Sequence, residues 1–373
     1  MIFLRIAFQM RYTATQKHRF IHPALSKEMI SGTEVPSIGL KGAMSSCVQR
    51  RLDLQRKRWY SGCMPEMDLA EEILRLKKER NAVILAHSYQ RPEIQDIADF
   101  VGDSLALARK AQEATCDVIV FCGVHFMAET ACILNPGRTV LLPDLNAACS
   151  LEQSCPAEEL EAFLKEHADK NYYVVAYVNC SIGVKALADV IVTSGNAQRI
   201  IETAPADRPI LFVPDRNLGA WTSLQTGRVM TMWNGACHVH ERFSRDKVLE
   251  MKALYPAAEV VCHPECQEPI RLLADHICST EKMIPYCRES AAQQFIIVTE
   301  TGILHRLRKL VPGKEFIGAG IEKCSCNECE YMKLNTLQKL RDCLRDMAPE
   351  VRIEEDLRRR AAKPLERMLE LSL

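Results

Sequence analysis

The 373-residue sequence lacks three features that would each point to a class of protein. It has no net charge, because 48 basic residues balance 48 acidic ones, and this excludes a chain-wide basic field for nucleic acid. Its apolar runs, such as CDVIVFCGV, are too short to span a bilayer. Proline and glycine, with 17 and 16 residues, are not in excess, which excludes a low-complexity chain. We therefore expect a folded protein that binds neither nucleic acid nor membrane.

Apolar residues and cysteine are well represented. Hydrophobic residues make up 47% of the chain, enough for a sizeable core, and the length suits two or three domains. The 17 cysteines are an odd number in a chain too large to need disulfide bonds. This indicates a reducing compartment, the cytoplasm, with a few thiols used for metal or redox chemistry.

The N-terminal region differs from the rest of the chain. The first 60 residues hold eleven Lys or Arg and three acidic residues, without sustained periodicity. We interpret residues 1–66 as a poorly ordered extension, with Met64 or Met67 as a natural start. An organelle presequence and a basic arm are the alternatives.

From residue 80 onward, the chain repeats one unit three times. Each copy has an apolar β-type run, a polar stretch, an amphipathic helix and the tripeptide (I/L)AD, then a Ser or Thr five residues after the Asp. The copies begin NAVILAHSYQRPEIQDIADFVGDS, YYVVAYVNCSIGVKALADVIVTS and AEVVCHPECQEPIRLLADHICST. Further strand–helix alternation predicts an α/β protein of three similar three-layer αβα domains with parallel sheets around a pseudo-threefold axis. We expect domains at 67–165, 166–254 and 255–345, then a C-terminal helix within 346–373.

Polar residues recur in register where each first strand ends, and ligands gather at such carboxyl ends. These residues are His87, Tyr177 and His263, and two positions later Tyr89, Asn179 and Glu265. The repeated hydroxyls are Ser104, Ser194 and Thr280, each expected to cap the following helix and to contribute to an anion site. The repeated aspartates, Asp99, Asp189 and Asp275, are expected to be structural and to tie the helix to the following loop.

Each unit also delivers cysteine at a similar place. Cys149 follows its repeated hydroxyl by 45 residues and Cys237 by 43, whereas Cys324, Cys326 and Cys329 follow theirs by 44, 46 and 49. Three thiolates suit either a zinc ion with an open position or a [4Fe-4S] cluster with one open iron. His238 and His240, beside the second cysteine, are either further ligands or substrate contacts. Spacing alone leaves the metal undecided.

The chain from about residue 68 to its end resembles the quinolinate synthase family. The matching stretches occur in order and include AHSYQRPEIQDIADFVGDSLALARKA, VIVFCGVHFMAETACILNP, AYVNCS, VTSGNA, PDRNLG, GACHVHERF, HPEC, LRKLVPGKEF and CEYMK. The resemblance implies a triangular protein with its active site at the centre and a [4Fe-4S] cluster held by Cys149, Cys237 and Cys329. Cys329 matches the family's final cysteine, which is followed by two residues and then Met, as in CEYM. The repeat spacing alone favours Cys324. Lys323 replaces the first cysteine of the C-x-x-C-x-x-C run of many relatives, so a redox switch there is not expected.

The resemblance also implies a reaction, in which iminoaspartate and dihydroxyacetone phosphate condense to quinolinate, with the open iron as Lewis acid. It assigns catalysis to Glu265, Tyr177, His263 and Tyr89. It assigns substrate binding to His87, Ser104, Tyr177, Asn179, Ser194, His240, His263, Glu265, Ser279 and Thr280. It makes L-aspartate oxidase a functional neighbour, and we expect a monomer or homodimer.

Three other interpretations are open from the residues alone. A zinc-dependent hydrolase or aldolase would use the same cysteines and bind stoichiometric zinc. An iron–sulfur sensor would use the cluster only to report oxygen or iron, and would not need the repeated hydroxyls and histidines. A structural protein without a cofactor would explain neither the cysteines nor the polar strand ends.

Overall fold

The computed structural model describes residues 68–320 and 327–372, in which three parallel four-stranded sheets follow one another along the chain. Within each repeat, the strand order is second, first, third, fourth. The strands are β1 (Ala82–His87), β2 (Phe100–Gly102), β3 (Val118–Cys122), β4 (Thr139–Leu141), β5 (Tyr173–Tyr177), β6 (Val190–Val192), β7 (Ile210–Val213), β8 (Met230–Met232), β9 (Glu259–Cys262), β10 (His276–Ile277), β11 (Gln294–Val298) and β12 (Glu315–Gly318). The predicted α/β fold of three similar units is confirmed. The domain limits stay predictions, and residues 1–66, Cys324 and Cys326 lie outside the described residues.

Helices connect the strands in the same order in every repeat. They are α1 (Leu69–Glu79), α2 (Pro92–Ile97), α3 (Ser104–Glu113), α4 (His125–Leu134), α5 (Ser150–Gln153), α6 (Ala157–Glu166), α7 (Ile182–Leu187), α8 (Ala197–Glu202), α9 (Arg216–Thr226), α10 (His238–Glu241), α11 (Arg245–Leu254), α12 (Glu268–Arg271), α13 (Thr280–Glu289), α14 (Ile303–Leu310), α15 (Leu337–Asp346) and α16 (Glu355–Leu371), with 3-10 turns at Ala168–Lys170 and Met332–Leu334. None of the helices in this described part is both long and apolar enough to cross a membrane.

The central strands are buried on both faces because helices cover each sheet on two sides. Every residue of β3 (VIVFC), β5 (YVVAY) and β7 (ILFV) is buried, as expected for strands of parallel sheets. These buried strands therefore support the loops at their carboxyl ends.

The repeated aspartates join the first two strands of each sheet. An Oδ2 atom of each accepts the N–H of a first-strand residue at 2.8 Å, and the aspartate N–H donates to that residue's carbonyl. The pairs are Asp99 with Ile84, Asp189 with Val174 and Asp275 with Val260. Their role is structural, but the expectation that they tie the helix to the following loop is wrong. Beside the parallel pairing, the side-chain carboxylate thus accepts one more N–H of the first strand.

Candidate functional site

A single pocket of about 680 Å³, its mouth included, lies at the carboxyl ends of the first strands of all three repeats. All the site residues predicted from the sequence except Ser279 line this pocket. They are His87, Tyr89, Ser104, Cys149, Tyr177, Asn179, Ser194, Cys237, His240, His263, Glu265, Thr280 and Cys329. Ser279 is buried outside the lining, and its hydroxyl has no hydrogen-bond partner among the described residues.

The repeated hydroxyls are not helix caps. Helix α3 is capped by Asp103, whose carboxylate accepts the N–H of Ala106 at 3.0 Å, so Ser104 is already the first helical residue. Likewise, α13 starts at Thr280 after the N-cap Ser279, and Ser194 lies before Asn196, the N-cap of α8. The capping expectation is therefore wrong for all three, and these hydroxyls line the pocket without a capping bond.

Glu265 is the centre of the polar side of the pocket. Its Oε1 atom accepts the hydroxyl of Tyr177 at 2.5 Å, and its Oε2 atom lies 2.8 Å from Nδ1 of His240. Only 3% of Glu265 is exposed, so these contacts replace water around a buried carboxylate. Nδ1 of His263 lies 3.9 Å from Oε1 of Glu265, and Nε2 of His263 is 3.2 Å from the hydroxyl of Ser194.

A threonine that sequence reasoning missed extends this set of contacts. Oγ1 of Thr299 lies 2.8 Å from Nε2 of His240 and 2.6 Å from the hydroxyl of Tyr89. Polar contacts thus run from Tyr89 through Thr299, His240 and Glu265 to Tyr177, and they use residues of all three repeats. His240 thus contacts Thr299 through Nε2, and its Nδ1 lies 2.8 Å from the Glu265 carboxylate. The position of Thr299 directly after β11 was the signal that could have found it.

Burial and mutual contacts set the charges of these groups. Burial alone raises the pKa of the Glu265 carboxyl, but His240, His263 and the Tyr177 hydroxyl outweigh it and lower that pKa to about 2. Burial lowers the pKa of both His87 and His263 to about 3. Burial and the nearby Glu265 charge raise the pKa of Tyr177 and Tyr89 well above the usual value. At neutral pH the pocket therefore holds an ionised Glu265, neutral rings at His87 and His263, and protonated Tyr177 and Tyr89.

The three-cysteine centre is formed by Cys149, Cys237 and Cys329, one from each repeat. The first two stand at the N-caps of the short helices α5 and α10, and the third precedes the 3-10 turn at Met332. All three are partly buried free thiols. Burial raises their pKa values, to about 11 for Cys329, and each of the other two thiols adds to the rise for Cys237.

The spacing of these thiols bears on which metal they suit. The sulfur of Cys237 lies within 4.8 Å of ligand atoms of His240 and Glu265, but among the described residues no group of that compactness contains two of the three cysteines. In a tetrahedral zinc site, Zn–S bonds of about 2.3 Å bring sulfurs to within about 4 Å of one another. The centre is therefore wider than a single zinc ion requires, and suits a group with several metal atoms.

The loop that carries Cys329 is held by a buried ion pair. Oε1 of Glu300 accepts the N–H of Cys329 at 3.2 Å and contacts Nζ of Lys333 at 2.9 Å, while Oε2 accepts the N–H of Gly302 at 2.6 Å. Nζ of Lys333 also donates to the carbonyl of Tyr89 at 2.6 Å. Glu300 is fully buried, and burial raises its pKa despite Lys333. Sequence reasoning missed this pair, because nothing in the repeat marks it.

The structure adds further pocket residues and one group outside the pocket. The additional lining includes Asp103, Ser150, Thr193, His238, Tyr331 and Met332. Outside it, His125, Glu129 and Glu152 place ligand atoms within 4.8 Å of one another. Of these, the sequence predicts His238 as a ligand or substrate contact, and Asp103 and Thr193 stand in register directly before two of the repeated hydroxyls. The others lie outside the repeated pattern.

The chain is similar in sequence to proteins of one known family. A family model described as Quinolinate synthetase A protein matches residues 71–370. A protein named quinolinate synthase from Nostoc sp. PCC 7120 is 52% identical over 319 residues, which are 85% of this chain and 98% of the relative. Those of Prochlorococcus marinus MIT 9303 and Thermosynechococcus vestitus are 54% and 52% identical, over 80% and 82% of this chain and 90% and 96% of the relatives.

Proposed function

Because the chain belongs to the quinolinate synthetase A family of enzymes, we propose that it condenses iminoaspartate with dihydroxyacetone phosphate to form quinolinate. One phosphate and two waters leave in this reaction. One observation carries the proposal. A single pocket brings together three cysteines, one from each repeat, and the ionised Glu265 of the third repeat. A base beside a site that can hold a metal suits dehydration and proton transfer.

The three-cysteine centre fits a [4Fe-4S] cluster, because three thiols can bind three irons and leave the fourth without a protein ligand. Cys149, Cys237 and Cys329 would hold it. When bound, it would supply a Lewis acid for a substrate oxygen and help hydroxide to leave. The three sulfurs do not form the compact group that a single zinc ion requires, which argues against the zinc hydrolase or aldolase. The repeated polar residues at the strand ends line the pocket, which argues against a sensor without a substrate.

The substrates carry two carboxylates and one phosphate, and the pocket offers neutral donors for them. Thr280 begins helix α13, whose N-cap Ser279 makes no side-chain capping bond, so the first N–H groups of that helix can attract an anion. At the start of α3 the Asp103 carboxylate already accepts the N–H of Ala106, and Ser104 offers its hydroxyl to the pocket. Asn179 has a buried side-chain oxygen without a partner in the described chain, which leaves its amide free to orient on a ligand. Neutral His87 adds a ring N–H donor that carries no charge to be desolvated.

Isomerisation and dehydration move protons between neighbouring carbon and oxygen atoms. The ionised Glu265 takes a proton from carbon, and the protonated Tyr177, 2.5 Å away, is the matching donor. His240 and Thr299 connect Glu265 to Tyr89, so a proton taken at one side can be returned at the other. His263 stacks on His240 at 4.8 Å and holds that ring in place.

The test is quinolinate formation by anaerobically prepared protein supplied with both substrates. Glu265→Gln keeps the shape but removes the base, and should lower kcat by about 10²–10⁴-fold with unchanged iron content. Glu289→Gln, on the outer part of α13, is the control and should retain activity. Iron-loaded wild-type protein that forms no quinolinate would refute the function, and full activity of Glu265→Gln would refute the assignment of the base.

Cytoplasmic location, L-aspartate oxidase as the source of iminoaspartate, and a monomeric or homodimeric state remain predictions of the same proposal.

A further inference from the structure

His238 is a pocket residue to which the proposed reaction gives no task. It follows the second cysteine of the centre and begins helix α10. Its Nδ1 atom is 2.8 Å from the hydroxyl of Ser150, which follows the first cysteine. Its Nε2 atom is 4.0 Å from Oε1 of Glu330, which follows the third cysteine. One imidazole thus touches the chain beside all three cysteines.

The contacts of Ser150 decide which ring nitrogen carries the proton. Its hydroxyl oxygen accepts the backbone N–H of His238 at 3.2 Å, so the hydroxyl proton is left to donate. Among the described residues, Nδ1 of His238 is the one acceptor in contact with that hydroxyl. An imidazole that accepts a hydrogen bond at Nδ1 carries its proton at Nε2.

This Nε2–H group lacks a partner. The atom is buried, and no hydrogen-bond acceptor reaches it in the part of the chain that the structure describes. Buried donors in folded proteins are almost always paired. The ring of Tyr331 stands edge-on at 5.7 Å and restricts the imidazole, so the donor cannot turn freely toward water.

We propose that Nε2 of His238 donates a hydrogen bond to a sulfur atom of the cluster held by the three-cysteine centre and raises its reduction potential. This inference rests on the proposed function, because it requires the iron–sulfur cluster. Reduction adds negative charge to the sulfurs, so a donor stabilises the reduced state more than the oxidised one. Ser150 is the positioning residue that fixes the donor tautomer.

The experiment is a redox titration of the anaerobically purified holoprotein at pH 8, followed by electron paramagnetic resonance. His238→Phe keeps a ring against Tyr331 but removes the donor, and should shift the midpoint potential to a more negative value at unchanged iron content. Ser150→Ala should shift it in the same direction by less. His276→Phe, on β10 outside the pocket, is the matched control and should leave the potential unchanged.

An unchanged potential in fully loaded His238→Phe would overturn the inference and leave the proposed function standing. If His238→Phe does not retain iron, Ser150→Ala decides, and a wild-type potential there would overturn the inference. Zinc or no metal in the wild-type protein would overturn the proposed function and the inference together.

Discussion

The buried pair of Glu300 and Lys333 offers the sharpest test of how the third cysteine is held. Glu300 is fully buried, and the side chain of Lys333 is only 10% exposed. The net effect of burial is to raise the pKa of Glu300, so desolvation outweighs the attraction of Lys333. A buried ion pair whose desolvation cost outweighs its attraction contributes little net stability. The role of this pair is to hold the N–H of Cys329.

Glu300→Gln should lower the free energy of unfolding by about 3–5 kcal/mol, because it leaves Lys333 as an unpaired buried charge. Glu300→Gln combined with Lys333→Met removes both charges and should recover most of that loss. Urea unfolding of the metal-free proteins measures both effects, and the double-mutant cycle gives the coupling energy.

Iron content separates the stabilising role from the positioning role. In the double variant, a neutral amide oxygen replaces the carboxylate that accepts the N–H of Cys329, which weakens that hydrogen bond, so iron retention should lie below that of the wild-type protein even after stability returns. Two results would refute this reasoning. One is a loss below about 1 kcal/mol for Glu300→Gln, and the other is full iron retention by the restored double variant.

Two further predictions concern stability. Asp189→Ala removes the acceptor of a strand N–H and the partner of Arg208, and should cost about 1–3 kcal/mol in urea unfolding, against none for the exposed Asp169→Ala. His87 and His263 have pKa values near 3 in the folded protein and about 6.5 when unfolded, so the unfolded chain binds more protons between these limits. The free energy of unfolding of the metal-free protein should therefore decrease as the pH is lowered below 6.5, by about 1.4 kcal/mol per pH unit for each histidine. His263→Gln should roughly halve this slope, and an unchanged slope would contradict the burial of a neutral ring.

Aligning the three repeats predicted the site residues that occupy equivalent positions in each of them. It placed His87, Tyr177 and His263 at equivalent strand ends, and the structure brings them into one pocket because the carboxyl ends of parallel strands meet at one edge. The same reasoning predicted the α/β fold and one cysteine from each unit. The choice of Cys329 over Cys324 came from the family resemblance.

The alignment of the repeats could not predict functional residues that occur in only one of them. Thr299 and Glu300 follow β11 of the third repeat, and their importance depends on contacts with residues far away in the sequence. Capping was misassigned because the N-caps of α3 and α13 are Asp103 and Ser279, each one position before the repeated hydroxyl. A hydroxyl near a helix start does not reveal which of two adjacent residues leaves the helical conformation.

The most direct test of the central claim is anaerobic iron and sulfide analysis, with an absorbance spectrum, of the wild-type protein and Cys329→Ser. The account predicts about four irons and four sulfides per chain, lost in Cys329→Ser and kept in the control Cys116→Ser. If the cluster survives Cys329→Ser but not Cys324→Ser, the cluster assignment stands and its third ligand is Cys324. Stoichiometric zinc in the wild-type protein would contradict the account.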